Sequence, residues 1–412
     1  MTAKPVRVLH FADAHIDIAN YGRRDPESAL PVRVMDFLSA LDQIIDAAID
    51  EQVDLVLFAG DAYKDRNPQP TFQREWGRRM MRLSQAGIPT LLLIGNHDIS
   101  PATGRAHTLQ EYKTLSVPHV HVADRIKLWT PAMLGVPLQV LSVPWVSRSQ
   151  LMTREETSGL TMDEIFDGME ERVTRAILNG IDAADPELPL ILTAHASVRG
   201  ATYGSERTVM LGDELTLGGR IIADPRLDYV ALGHIHKHQQ LSPGDSQPPA
   251  IYPGSIERID FGEAREKKGF VLAEVSKGQT VWQFIPLKTR HMLDFAIDTP
   301  DPETFMSDIM SKLPAPEKVR GAICRLRLTY AADWEPLLDE KQIIDYFHEA
   351  FSLQIQKHRL SERRSRLGDT LAVESLSPLE LLETYWRTIG MESDEITTMR
   401  DLAGEVLFAA DE

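Results

Sequence analysis

The hydrophobic positions in the first hundred residues follow two alternating periods. Val6-Arg7-Val8-Leu9-His10-Phe11, Asp54-Leu55-Val56-Leu57-Phe58-Ala59 and Thr90-Leu91-Leu92-Leu93-Ile94 are short, nearly unbroken apolar runs, as expected of strands buried on both faces. Between the first two, Val34, Phe37, Leu38, Leu41, Ile44, Ile45, Ala48 and Ile49 recur at three and four, which predicts an amphipathic helix over 32–52. A second helix is predicted over 70–86, opened by Pro70 and stopped by Gly87-Ile88-Pro89. Strand and helix thus alternate over 1–98, which predicts a parallel sheet covered by helices. Further strands are expected at 119–122, 125–129, 138–143, 190–194 and 229–232, with a helix over 162–180 ending at Asn179-Gly180. Strands at 269–275 and 280–285, joined at Lys277-Gly278, form a hairpin expected to close a second sheet.

Beyond residue 290 the pattern changes. Segments 292–297, 303–313, 321–329, 336–349 and 351–356 read β-α-β-α-β, a compact unit of roughly 65 residues. The basic stretch Lys357 to Arg366 that follows is expected to be a solvated linker. Ser377-Pro378-Leu379-Glu380 is a capping box with proline at the first helical position, and Leu381, Leu382, Tyr385 and Trp386 give that helix an apolar stripe. A last helix starts near Asp394 and carries Ile396, Met399, Leu402, Val406 and Leu407. Two such short helices bury little alone, so they fold back on the preceding unit or dock on another chain.

What gives the pattern chemical meaning is how the apolar runs end. The first runs into Asp13-Ala14-His15, the second into Gly60-Asp61 and the third into Gly95-Asn96-His97-Asp98. Leu190 to Ala194 runs into His195, and Tyr229 to Gly233 into His234-Ile235-His236. Five strands each hand over to Asp, Asn or His at the carboxyl edge, where open α/β sheets build their sites. These nitrogen and oxygen donors suit divalent transition metals. A single histidine at a strand end is more often a hydrogen-bonded structural residue, and His10, His107, His119 and His121 are read that way, with His238 expected to be exposed. The same plain reading of Asp13, His15, Asp61, Asn96, His195, His234 and His236 leaves the whole set without a purpose.

In this order, Asp-x-His, Gly-Asp, Gly-Asn-His-Asp, the lone His and Gly-His-x-His resemble the binuclear metallophosphoesterases. Tyr252-Pro253-Gly254-Ser255-Ile256-Glu257-Arg258, followed by Lys267-Lys268-Gly269-Phe270, is similar to the SbcD-type DNA exonuclease subunits, the nuclease partners of SMC-like SbcC ATPases. The resemblance implies an α/β fold: a two-sheet metallophosphoesterase sandwich flanked by helices, then a small α+β capping domain and C-terminal helices. It places a nuclease domain at 1–289, the cap at 290–356, a basic linker at 357–376 and ATPase-docking helices at 377–412. It implies two divalent ions, with manganese as the expected metal, that polarise the phosphodiester and orient in-line attack by water. One ion would be held by Asp13, His15 and His236, the other by Asn96, His195 and His234, with Asp61 between them. His97 would face the phosphate and protonate or steady the leaving oxygen, and Asp98 would fix its tautomer. The family often has Asp three residues after the bridging Asp, where this chain has Lys64; Asp65 is displaced by one. Arg199 and Arg207, in the glycine-rich segment after His195, and Arg258 are candidate DNA contacts, as is Phe261. Ser255 is expected near the metals. The family resemblance also implies a homodimer, with Trp76 and Tyr112 as exposed-looking candidates for the interface.

Composition narrows the reading. The chain has 412 residues, 43% hydrophobic and 25% charged, with a single cysteine, Cys324. One cysteine forms no internal disulfide, and no apolar run approaches the ~18 residues of a membrane span, so a cytoplasmic protein without membrane association is expected. A net charge of -17 excludes a simple DNA-coating protein, which would be basic, and points to a partner that supplies part of the DNA affinity. The leading expectation is a DNA exonuclease and endonuclease subunit acting with the ATPase in DNA repair. The alternatives are a small-molecule phosphodiesterase or phosphatase on the same metal core, and a non-catalytic scaffold that docks an ATPase.

Overall fold

The computed structural model describes residues 4–21, 24–99, 105–146, 156–157, 159–204, 216–241, 247–299, 301–360, 378–388 and 390–408. Contacts divide the chain into two units. The first comprises Met1–Asp294 with Lys318–Arg325 and Glu349–Ser352, and the second comprises the rest.

The first unit holds two six-stranded sheets. One contains β1 (Val6–Phe11), β2 (Leu55–Phe58), β3 (Thr90–Leu93) and β4 (Val120–Ala123), all parallel. The other contains β5 (Lys127–Trp129), β6 (Gln139–Val143), β7 (Leu190–His195), β10 (Tyr229–Gly233), β11 (Gln239–Gln240) and β12 (Ala250–Tyr252), in the order β11-β12-β10-β7-β6-β5. Its central four strands are parallel and its two edge strands antiparallel. A small ribbon pairs β8 (Ser197–Val198) with β9 (Thr216–Leu217).

The hairpin β13 (Gly269–Ser276) and β14 (Gln279–Pro286) completes the first sheet, in the order β14-β13-β1-β2-β3-β4. This corrects the expectation that it closes the second. β13 is apolar on both faces, so its sequence suits either sheet; it pairs antiparallel with β1, Val6 opposite Val275 and His10 opposite Val271.

The unbroken apolar runs are explained by burial on both faces. Val8, Leu55, Leu57, Leu91, Val140, Ile191, Tyr229, Ala231 and Val271 fill the space between the sheets. Alternate residues of the first sheet, Leu9, Phe11, Val56, Phe58 and Leu92, pack against helices Val32–Asp50 and Pro70–Gln85. Those of the second, Leu190, Leu192, Val230 and Leu232, pack on helix Met162–Asp182 with Ile165, Val173 and Ile177. The result is a helix–sheet–sheet–helix sandwich. Gly180 does not stop the last helix. It lies within it, where a Cβ would sit 2.6 Å from Leu141 Cδ1, so it permits close approach of the helix to the sheet. Trp76 is fully buried against Phe58 and Tyr63, and Tyr112 is 4% exposed, so neither is a surface residue as expected. They extend the apolar layer outside the first sheet rather than an interface.

The second unit contains most of a three-stranded sheet, β15 (Met292–Asp298), β16 (Ile323–Ala331) and β17 (Ser352–Leu360), with helices Phe305–Lys312 and Glu340–Tyr346. Strand β16 alternates, burying Leu326, Leu328 and Tyr330. The expected linker starts later than predicted: Lys357 and Arg359 belong to β17, and both pair with Glu335, at 2.9 and 2.8 Å. Its remainder and Ser377 lie outside the described residues. Helices Pro378–Thr388 and Ser393–Phe408 pack on each other, burying Trp386 and Ile396 and pairing Arg400 with Glu383 at 2.7 Å. No described helix is long and apolar enough to cross a membrane.

Candidate metal centre

The carboxyl ends of β1, β2, β3, β7 and β10 converge at one edge of the sandwich. The loop after β1 is tied to the loop after β2 by Asp13 N–H donating to the Gly60 carbonyl (2.9 Å) and Ala14 N–H donating to the Asp61 carbonyl (2.9 Å). Across the sheets, His195 Nδ1 meets the Ala59 carbonyl at 2.7 Å. The crossing is so close that a Cβ on Gly60 would lie 2.3 Å from His195 Nδ1, and one on Gly95 2.1 Å from Asp61 Oδ1. Asp13, His15, Asp61 and His234 are held at φ of 51°, 40°, 66° and 103°, in the region that side chains rarely adopt. Each such residue costs on the order of 1 kcal/mol or more and persists where surrounding contacts over-determine it, as functional sites often do.

Three imidazoles share one orientation. Nδ1 of His15 faces the Tyr63 carbonyl (3.1 Å), that of His195 the Ala59 carbonyl, and that of His236 Glu263 Oε1 (2.9 Å). Each therefore carries its proton on the outward Nδ1 and turns the Nε2 lone pair into the cluster. His15 Nε2 and His236 Nε2 face each other at 3.3 Å. His195 Nε2 lies 2.9 Å from Asn96 Oδ1, and that oxygen lies 3.2 Å from His234 Nδ1. Asp61 sits between, Oδ2 at 3.7 Å from His15 Nε2 and 3.5 Å from His195 Nε2. Both Asp13 oxygens accept from the His234 amide at 3.1 Å. All seven candidate ligands are thus brought together, six buried and Asn96 half-buried.

The donor set fits divalent cations. Asp13 with His15 and His236, and Asp13 with Asp61 and His195, each offer ligand atoms within 4.8 Å of one another. Facing lone pairs and buried carboxylates repel unless positive charge lies among them. Protein groups alone resolve this by proton uptake. Burial draws the His195 imidazole down, but the Asp61 carboxylate and then Asp13 outweigh it and raise it to about 9. Burial pushes Asp13 up, whereas at Asp61 the His195, His97 and His15 rings overcome burial and hold the carboxyl well below the usual range. A divalent ion held by Asp13, Asp61 and His195 would supply the positive charge in place of that proton.

His97 borders the cluster, half-buried, its ring centroid 5.2 Å from that of His15. Its Nδ1 donates to the Lys64 carbonyl (2.8 Å) and its Nε2 lies 3.5 Å from Lys64 Nζ. The expected role of Asp98 is corrected here. Its carboxylate accepts from the amides of Asp61 (2.9 Å), Ala62 (3.1 Å) and Gly95 (2.8 Å) and from Thr108 Oγ1 (3.0 Å). It thereby fixes the two loops that carry Asp61 and Asn96, while the Lys64 carbonyl orients His97. Burial, then the Asp61 charge, raises Asp98 to about 6. Asp17 likewise supports a loop, accepting from the amides of Lys64 and Asp65.

Arg258 and Phe261 are also corrected. The Arg258 guanidinium donates inward to Thr289 Oγ1 (2.6 Å) and to the carbonyls of Glu266 (2.7 Å) and Arg290 (3.2 Å). Phe261 is buried under Arg325, whose guanidinium lies 4.4 Å from its ring. Neither is free to meet DNA. Arg199 is exposed, near Glu170 at 3.8 Å, and Arg207 lies outside the described residues. Ser255 is buried at the edge of the site, its amide on the His236 carbonyl. His238 is half-buried rather than exposed, stacked on Phe284 at 4.0 Å. His10 is structural as expected, between the Tyr229 hydroxyl (3.0 Å) and the Leu232 carbonyl (3.1 Å).

Sequence reasoning missed Glu263, Lys268 and Trp145. Fully buried Lys268 pairs with Glu263 at 2.9 Å and donates to the His236 carbonyl at 3.0 Å. Burial would raise Glu263, but Lys268 and His236 hold it well below the usual carboxylate range. Lys268 belongs to the Lys267-Lys268-Gly269-Phe270 motif, and a buried lysine requires a carboxylate, which was the available signal. Trp145 lies 5.1 Å from His234, ring to ring, and no local pattern announces it.

The profile of the calcineurin-like phosphoesterases matches residues 6–238, which span all five strand-end motifs. The chain is 26% identical to the SbcD component of the SbcCD nuclease of Bacillus subtilis, over 69% of this chain and 70% of that protein. It is 25% identical to the corresponding SbcD component of the SbcCD nuclease of Escherichia coli K12, over 97% of this chain and 99% of that one. To the DNA double-strand break repair protein Mre11 of Methanosarcina acetivorans it is 25% identical, over 63% of this chain and 35% of that longer protein. With its ligand cluster at the strand ends and this match over more than half its length, the chain belongs to the calcineurin-like phosphoesterase family.

Proposed function

We propose that the chain is a metal-dependent DNA nuclease subunit, exonuclease and endonuclease, that hydrolyses phosphodiesters at DNA ends or hairpins together with an SbcC-type SMC-like ATPase in DNA repair. The observation that carries this reading is the buried cluster of seven donors with His97 at its border. Similarity along nearly the whole length of a nuclease component supports the DNA part. Two divalent ions, manganese by preference, would polarise the phosphodiester and activate the attacking water. Asp13, His15 and His236 would hold one ion, Asn96, His195 and His234 the other, and Asp61 both. His97 Nδ1 is fixed on the Lys64 carbonyl, so Nε2, which Lys64 Nζ approaches at 3.5 Å, is the nitrogen that would hold or deliver a proton at the leaving oxygen. Asp98 keeps the loops of Asp61 and Asn96 in place. Exposed Tyr385, Met399 and Leu402 on the C-terminal helices suit docking of the ATPase partner. The active form would be a homodimer in the cytoplasm.

The test is digestion of an end-labelled linear duplex by the purified chain with manganese, beside a His97→Ala control and an aryl phosphodiester. Shortening of the DNA that is lost in the control is expected. Cleavage of the small ester alone, persisting after an SbcC-type partner is added, would favour a small-molecule phosphodiesterase.

A further inference from the structure

Lys64 stands at the border of the histidine cluster. Its backbone is pinned on both sides, by Asp17 accepting from its amide and by His97 Nδ1 donating to its carbonyl at 2.8 Å. Its ammonium lies 3.5 Å from His97 Nε2. Among the described ion pairs none joins Lys64 to a carboxylate, in a chain of net charge -17. An ammonium held beside a catalytic imidazole without an anionic partner is placed to meet an anion that arrives with the substrate.

The same lysine lines a cavity of about 750 Å³, whose wall includes none of the seven candidate ligands. Arg24 and Arg74 add positive charge to its wall, and Leu30, Pro31 and Phe72 give it apolar surface. The two carboxylates on that wall already hold backbone amides: Asp17 those of Lys64 and Asp65, and Asp65 that of Asn67 at 2.9 Å. Arg74 shares Glu75 Oε1 with Arg78, while Arg79 pairs more closely with Asp42, at 2.6 Å, so two guanidiniums are left on one carboxylate and positive charge is left over. Cations for phosphate beside apolar surface for a base is the chemistry that takes a nucleotide. The volume is that of a small-ligand site. Because Lys64 belongs both to the border of the cluster and to the cavity, a ligand spanning them is a continuous strand rather than a separate small molecule.

We infer that Lys64 contacts a substrate phosphate and that the adjoining cavity receives the nucleotide next to the scissile phosphodiester, an assignment that rests on the nuclease reading above. It gives Lys64 a role in specificity: the residue favours substrates that continue past the reacting bond.

The test compares kcat/KM for a short DNA oligonucleotide and for bis(p-nitrophenyl) phosphate, both with manganese, in the full-length chain. The oligonucleotide fills the cavity and the aryl diester does not. Lys64→Ala is expected to lower the DNA-to-aryl ratio about tenfold or more, mainly through KM, and Lys64→Arg to recover most of it. Thr71→Trp, which adds bulk at another position of the cavity wall, is expected to lower the same ratio. An unchanged ratio in both Lys64→Ala and Thr71→Trp would overturn the inference while leaving the phosphodiesterase reading intact. Wild-type protein inactive on both substrates would remove that reading, and the inference with it.

Discussion

Two buried histidines mark the difference between the middle of the sandwich and its carboxyl edge. His10 and His195 are both buried from solvent, on strands of facing sheets. His10 meets a hydroxyl and a carbonyl, and burial, its largest influence, lowers it to about 3. His195 meets the same burial, yet Asp61 and Asp13 raise it to about 9. Burial and residue type are matched, so the neighbouring carboxylates decide. The interior of the sandwich selects neutral imidazole, and its edge collects negative charge that calls for a cation.

Removing the central charge should break the contrast most severely. Asp61→Asn is expected to lower phosphodiester hydrolysis about a thousandfold and to reduce bound metal, measured by elemental analysis of the same sample. Retained metal and activity would show that the edge does not depend on that carboxylate.

Glu263→Gln sharpens the comparison by removing charged support from one half of the edge. His236 loses its anionic partner, and affinity for the ion on the His15–His236 side should fall about 10- to 100-fold in a calorimetric titration. Equal weakening of both ions would instead mean that Glu263 acts on the whole fold.

The two histidines also predict opposite pH limbs for protein stripped of metal. Between pH 6.5 and about 3 the unfolded chain binds a proton that buried His10 refuses, so the His10 contribution falls as pH is lowered, while buried Asp98, raised to about 6, opposes it between about pH 6 and 4. Between pH 6.5 and about 9 folded His195 retains a proton that the unfolded chain has lost, so stability falls as pH is raised. Each of the two histidines contributes a slope of about 1.4 kcal/mol per pH unit within its window, so the His195 contribution on the alkaline side amounts to about 3 kcal/mol. Saturating manganese should abolish the alkaline limb and leave the acid one, read as melting temperature against pH. An alkaline limb that survives metal would remove the His195 assignment.

The smallest effect on activity is expected at the interior. His10→Phe leaves the Tyr229 hydroxyl without its partner and should cost about 1–3 kcal/mol in denaturant unfolding. Its kcat should stay within about twofold of wild type, since the ring lies among strand residues rather than ligands.

The edge was more legible in the sequence than the rest because its residues sit immediately after strands that are themselves unmistakable. Asp13, His15, Asp61, Asn96, His195, His234 and His236 each follow a short apolar run, so local pattern and ligand chemistry coincide. Contacts made across long stretches were not legible. Glu263 reaches His236 from 27 positions away, and the hairpin β13–β14 joins β1 from the far end of the unit. Asp98 lies beside His97 in sequence, yet the turn sends its carboxylate to backbone amides, a direction that adjacency does not reveal. Gly180 reads as a helix stop, but the missing side chain serves contact with Leu141. Arginine placement was least predictable, because Arg258 has the composition of a DNA contact and the geometry of an internal brace.

The central claim is that this edge is built for two divalent ions sharing Asp61. Anomalous diffraction from crystals grown with manganese tests it most directly. The account predicts two peaks, one against Asp13, His15 and His236 and one against Asn96, His195 and His234, with Asp61 touching both. A single peak, or two peaks that leave Asp61 without contact, would contradict it.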